Sequence, residues 1–221
     1  MGGRASRAGY RVSRRAVPET PKVGGWQPTS AQLAYEERIR QSEIEYGAYF
    51  DSEGNLLLEG VGNADEIEFD PHEMNHKIEQ RIWNDEMIDF VHNHPENTIF
   101  SPDDIETFEV LEARSERAVL ANGVNYTLIR NQPRTSNVLT WNDKTGQFER
   151  EWEVKKISDA YKKAYSNYRD TEGERLKRER GDLSYEKRQQ MKWDYVTKKM
   201  EEWLKKNARK YGYIFRKDGG K

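Results

Sequence analysis

Two histidines two residues apart, His92 and His94, are followed after Pro95 by Ser101-Pro102-Asp103-Asp104. Residues at i and i+2 on a strand point to one face, so both imidazoles can meet one metal ion. Asp104 falls in the first turn of a helix opened by Ser101 and Pro102, where it can add an anionic third ligand. Ser101, one helical turn earlier, can face the same pocket. Three protein ligands plus an open position make the donor set of a hydrolytic zinc centre. There the ion lowers the pKa of water, and a nearby carboxylate takes its proton. The run Ser101–Asp104 is also a plain helix start, with Ser at the N-cap, Pro next and acids in the positive first turn. Capping accounts for those four residues but not for a histidine pair on the preceding strand.

A rival motif lies upstream. His72-Glu73-Met74-Asn75-His76 matches H-E-x-x-H, in which a helix presents two histidines and a base. Its metzincin continuation fails, because Glu79 stands where Gly is wanted and Ile82 where a third His is wanted. Glu96 and Glu109 remain open by spacing as a third ligand. On a short helix, His72 and His76 read as surface residues. The chain has no cysteine, which removes disulfides, thiolate ligands and thiol nucleophiles. A deaminase-type zinc site, which needs the C-x-x-C pair, is thereby unsupported.

The elements that must position these groups can be read from pattern. Residues 31–41 suit a short helix, and Tyr46, Ala48 and Phe50 alternate with Glu45, Gly47 and Tyr49 as in a strand. Two further strands fall over 55–62 and 66–69. Asp70-Pro71 opens a helix striped by Met74, Ile78 and Ile82. Residues 87–91 form a buried strand that delivers His92, and Ile105, Phe108 and Leu111 stripe the helix after Ser101. Asn122-Gly123 joins two apolar runs, 117–121 and 124–130, as a hairpin. Residues 138–141 and 147–152 suggest another hairpin. Val154, Ile157, Tyr161, Ala164 and Tyr168 mark one helix, and Met191, Val196, Met200, Trp203 and Leu204 a second, with Gly173 and Gly181 punctuating the region between.

Composition divides the chain. Net charge is −2 overall, but +5 over residues 1–34, −16 over 35–149 and +9 over 150–221. Six Trp, twelve Tyr and seven Phe supply the large apolar surfaces of a modest core. Arg4, Arg7, Arg11, Arg14 and Arg15 lie in a Gly/Ser/Pro-rich arm read as disordered. A solubilising or targeting role is preferred for it over nucleic-acid binding. No apolar run approaches membrane-spanning length, and the arginines precede no apolar signal region.

The run His92-Asn93-His94-Pro95 … Ser101-Pro102-Asp103-Asp104 resembles the signature of JAMM/MPN-type (JAB-like) metalloproteases, which include isopeptidases acting on ubiquitin-like modifiers. The similarity covers roughly residues 40–130, where the order strand, helix, histidine strand, helix also resembles that family. The loop from His94 to Ser101 is one residue shorter than in common eukaryotic members. With its Phe100-Ser101 pair it is similar to phage and mobile-element members. The resemblance implies that His92, His94 and Asp104 bind Zn2+ and that Ser101 stabilises the oxyanion. It further implies a strand glutamate as general base, with Glu45 chosen and Glu43 of the same parity left open.

These readings set the expectations. The fold class is α/β, a mixed sheet flanked by helices with a cytidine-deaminase-like MPN/JAB core and a C-terminal helical hairpin. Residues 1–30 form a basic arm, 31–150 the metal-binding domain and 151–221 a charged helical extension. The expected function is zinc-dependent cleavage of a peptide or isopeptide bond. The alternative is a phage structural or assembly protein that uses the metal domain as an interaction module. Expected partners are a protein or peptide substrate and a protein bound through the C-terminal helices. The expected location is the cytoplasm of a bacterial or phage-infected cell, or the virion.

Overall fold

Thr29 starts the first helix, α1 (Ser30–Ile39): its hydroxyl accepts from the Gln32 N–H, and the Gln32 side chain accepts from the Thr29 N–H. The computed structural model describes residues 26–63, 66–84, 86–131, 139–142, 147–150 and 157–220. Residues 1–25 of the arginine-bearing arm lie outside them. Strands β1 (Tyr46–Asp51) and β2 (Leu56–Gly62) follow and pair antiparallel around a turn that Asp51 closes by accepting from the Glu53 and Asn55 N–H groups. A two-residue edge strand, β3 (Ile67–Glu68), completes that side of the sheet.

Asp70 caps the next helix as expected, but that helix is divided. It runs as α2 (Pro71–Met74), a π turn over Asn75–Glu79 and α3 (Gln80–Trp83). Strand β4 (Ile88–His94) is buried at every position. Helix α4 (Pro102–Val110) leads into β5 (Ser115–Leu120) and β6 (Val124–Arg130), which form the expected hairpin; Gly123 at its turn has φ +86°. Strands β7 (Leu139–Asn142) and β8 (Gln147–Arg150) pair antiparallel as a separate ribbon. The chain then forms α5 (Ile157–Glu179), α6 (Tyr185–Asn207), a 3-10 turn over Ala208–Tyr211 and β9 (Tyr213–Gly219).

The main sheet has the order β3-β2-β1-β4-β5-β6-β9. Strand β4 pairs antiparallel with β1 and parallel with β5, so the sheet is mixed, and α4 supplies the crossover that a parallel step requires. Register places Gly47 beside His92 and Tyr49 beside Phe90 on one side, and Ala118 beside His92 and Glu116 beside Phe90 on the other. Residues opposite one another share a face. The histidine pair, Glu116, Ala118, Tyr126 and Leu128 therefore lie on one face. Helices α4, α5 and α6 cover that face through Ile105, Phe108, Ile157, Tyr161, Val196, Met200 and Leu204. Helix α1 covers the other face, where Tyr35 and Ile39 pack on Ala48, Phe50, Val91 and Val119.

The C-terminal region departs from expectation in two ways. Beyond the two helices, residues 213–219 return as a strand beside β6, from Tyr213 opposite Arg130 to Gly219 opposite Val124. Gly212, at φ +80°, lets the chain reverse out of the 3-10 turn into that strand. Gly173, expected between the helices, lies inside α5; only Gly181 falls in the connector. A Cβ at Gly173 would meet only the Lys192 side chain, at an ordinary contact distance of 3.9 Å, so nothing in the packing requires glycine there.

Candidate metal centre

The last residues of β4 and the first turn of α4 meet over one end of the sheet. His92 Nε2 and His94 Nε2 lie 2.9 Å apart. Asp104 Oδ2 lies 3.2 Å from His94 Nε2 and 3.7 Å from His92 Nε2. These edges average about 3.3 Å, close to the roughly 3.3–3.4 Å between ligands of a tetrahedral ion with bonds of about 2.0–2.1 Å. Among the described residues this is the group of three whose donor atoms converge well enough to hold a metal ion.

Two of the three candidate ligands, His94 and Asp104, are oriented from behind by hydrogen bonds. His94 Nδ1 donates to the Thr98 carbonyl at 2.9 Å, which leaves the Nε2 lone pair for the centre. His92 turns Nδ1 the other way, toward Glu116 Oε1 at 3.9 Å. Ser101 and Asp104 form a full capping box: Ser101 Oγ accepts from the Asp104 N–H at 3.1 Å, and Asp104 Oδ2 accepts from the Ser101 N–H at 2.6 Å. Helix capping and ligation are thus one arrangement here. The N–H from Ser101 aims the carboxylate oxygen that the imidazoles also approach. The Ser101 hydroxyl, while accepting, keeps its own proton to donate.

The electrostatics follow from burial and proximity. Burial pushes the His92 imidazole down, against the pull of Asp104, so His92 is neutral with a lone pair. Burial opposes charge on Asp104, yet the two imidazoles hold its carboxyl well below the usual range. For His94, burial is outweighed by the hydrogen bond and charge of Asp104, then by the charge of Glu45 and by Thr98, and its pKa is raised to about 8. Asp104 is 21 % exposed against 1 % and 5 % for the histidines, so the centre opens to solvent on the Asp104 side.

Glu45 stands just before β1, half-buried, with its charge felt by His94. Continued two residues, the β1–β4 register puts residue 45 opposite His94. The backbone ladder stops at Gly47–His92. Beyond it the Asn93 side chain takes over: its Oδ1 accepts from the Tyr46 N–H at 2.7 Å, and its Nδ2 donates to the Ile44 carbonyl at 3.0 Å. Asn93 therefore grips the peptide on each side of Glu45 and seats it near the centre. Glu43 is exposed.

The rival pair sits elsewhere. His72 and His76 are exposed on the divided helix, where Glu73 pairs with Lys77 and His76 Nδ1 meets Gln80. Of its candidate third ligands, Glu96 is exposed, and Glu109 accepts from Ile157 N–H, Ser158 N–H and Ser158 Oγ–H at the start of α5. Sequence reasoning missed Asn93, Thr98 and Glu116. The first two sit within the motif as unremarkable polar residues. Glu116 had one available signal, an acid inside an otherwise strand-like run. No protein-family model matches this chain, and comparison with curated proteins finds no match either.

Proposed function

We propose that this protein is a zinc-dependent hydrolase of the JAMM/MPN kind that cleaves a peptide or isopeptide bond. One observation carries the reading: two imidazole Nε2 atoms and a carboxylate oxygen converge at tetrahedral spacing, with one histidine's tautomer fixed from behind. A nitrogen–nitrogen–oxygen set suits zinc and leaves one position free. When bound, zinc supplies Lewis acidity that polarises a carbonyl and acidifies water.

The chain's own residues supply the remaining roles. Glu45, beside His94, accepts the proton of the attacking water and delivers it to the leaving amine. Ser101 donates a hydrogen bond from its hydroxyl to the oxyanion that develops on the substrate carbonyl, and the N-terminus of α4 adds its positive end to the same region. Asp104, ionised and bound by the Ser101 N–H, keeps the carboxylate aimed at the imidazoles. Asn93 holds Glu45 in reach.

Metal analysis of the purified protein is the test. About one zinc per chain in the parent, lost in His92→Ala and in Asp104→Ala and kept in His76→Ala, is the expected result. Glu45→Gln should keep zinc and lose hydrolysis of isopeptide-linked and peptide substrates. Zinc retained by His92→Ala would sink the proposed centre. Stoichiometric zinc with no turnover of any amide would favour the assembly-module alternative.

A further inference from the structure

Behind the ligand set, the structure contains a buried carboxylate that no hydrogen bond satisfies. Glu116 is fully buried, and neither of its oxygens has a hydrogen-bond partner among the described residues. Burial pushes its carboxyl well above the usual range, and the charge of Asp104 adds to that. An unsatisfied buried acid destabilises the fold, so a position that keeps one invites an explanation.

The neighbouring groups narrow the explanation. Its strand partners are Phe90 on β4 and Leu128 on β6, which offer no side-chain donor. Tyr161 Oη donates to the Phe100 carbonyl. The Tyr49 hydroxyl lies close enough to feel the Glu116 charge, and His92 Nδ1, itself buried and without a hydrogen-bond partner among the described residues, lies 3.9 Å from Glu116 Oε1. Two orphaned groups of complementary type thus face each other across a gap of under one ångström beyond hydrogen-bond length. His94 already has its counterpart contact, from Nδ1 to the Thr98 carbonyl.

We propose that Glu116 is the positioning residue for His92: its carboxyl oxygen accepts the Nδ1 proton when Nε2 engages the metal. This rests on the zinc reading above and extends it one layer outward. A ligating imidazole whose other nitrogen is held by a carboxylate is fixed in tautomer and ring orientation, and is a stronger donor. Glu116 touches neither substrate nor metal and acts only through His92.

The experiment uses the full chain. Zinc binding is measured by competition with a chromophoric chelator for the parent, Glu116→Gln and Glu116→Leu. Cobalt(II) absorption spectra and metal-free thermal stability are recorded on the same samples. Glu116→Leu should weaken zinc by about 10–100-fold and shift the cobalt bands. Glu116→Gln, whose amide oxygen still accepts, should lie within a few-fold of the parent. The metal-free melting temperature of Glu116→Leu should hold or rise, since an apolar side chain removes an unsatisfied carboxyl. A purely structural role predicts the reverse, lower stability with unchanged zinc affinity and spectrum, and that result overturns the proposal. Nitrogen-detected NMR of the zinc-loaded parent gives a check independent of any variant. A protected proton on His92 Nδ1 is expected, and Nδ1 found bound to zinc refutes the assignment. A parent that binds no zinc at all would instead fail the functional reading, an outcome the titration separates from the others.

Discussion

At the residue scale, Ser101 carries two jobs that one substitution can separate. It caps α4 and stands beside Asp104, a candidate metal ligand. Ser101→Ala should cost about 1 kcal/mol of stability through the lost cap and about 10²–10³ in turnover through the lost donor. Thermal melts beside kinetics at saturating zinc check both; a loss in stability alone would leave Ser101 a cap only. His94 gives a pH prediction. Its pKa in the metal-free site is raised to about 8, so zinc must displace a proton below that pH. Apparent zinc affinity should rise about tenfold per pH unit up to about pH 8 and flatten above it. Stability of the metal-free chain should move the other way. The raised pKa contributes fully below the ordinary value of 6.5, and the contribution is lost as pH rises through about 8. Titrations with and without a chelator test the opposed slopes. The convergence of His92, His94 and Asp104 was legible in sequence because i, i+2 spacing on a strand and a Ser-x-x-Asp helix start are local patterns. Glu116 was not, because its place beside His92 is set by a parallel register between segments joined through a whole helix.

At the element scale, α5 and α6 hold the sheet face on which the histidines sit. Leu204 is fully buried against that face with Met200, Tyr161 and Tyr213 around it. Leu204→Ala should destabilise by about 2–5 kcal/mol, read by denaturant unfolding. A loss under about 1 kcal/mol would mean that the helices rest loosely on the sheet. Helix periodicity announced both helices, since their apolar residues recur three and four apart. It could not announce β9. Tyr213, Phe215 and Lys217 face one way and Ile214, Arg216 and Asp218 the other, but seven residues of mixed chemistry carry little strand signal alone. Their pairing with β6 supplies what local propensity does not. Gly173 misled for the complementary reason. A helical glycine usually signals a break, but α5 runs on through it because its packing against the sheet and α6 outweighs the local signal.

At the scale of the whole molecule, the segments that composition separates are interleaved. The tail contributes β9 to the sheet and two helices to its core, and Arg117 of β5 bonds both Glu36 of α1 and Asp218 of β9. That last pair has the polarity opposite to the net charges of the segments it joins, so net charge did not forecast the contact. Phe100 and Ile105, which flank the metal ligands, share one apolar cluster with Tyr161, Val196 and Leu204. Removing zinc should therefore loosen the tail along with the centre. Chelation should lower the melting temperature in a single transition seen alike by circular dichroism and tryptophan fluorescence. The lost stabilisation should approach about 2.7 kcal/mol where free zinc had been a hundredfold above Kd. Two separated transitions would show that the tail folds independently. Among the described residues, no helix is long and apolar enough to cross a membrane.

The capping box has a consequence for how such a chain can change over time. Ser101 and Asp104 would be retained for the sake of α4 even in a descendant without the proposed hydrolysis, because losing either would fray the helix that covers the sheet. His92 has no such second employment, and His94 has only the bond from its Nδ1 to the Thr98 carbonyl. Decay of activity would thus erase the histidines first and leave Ser-x-x-Asp standing as a fossil. When distant copies of this protein are sorted into working and silent forms, the informative letters are the histidines.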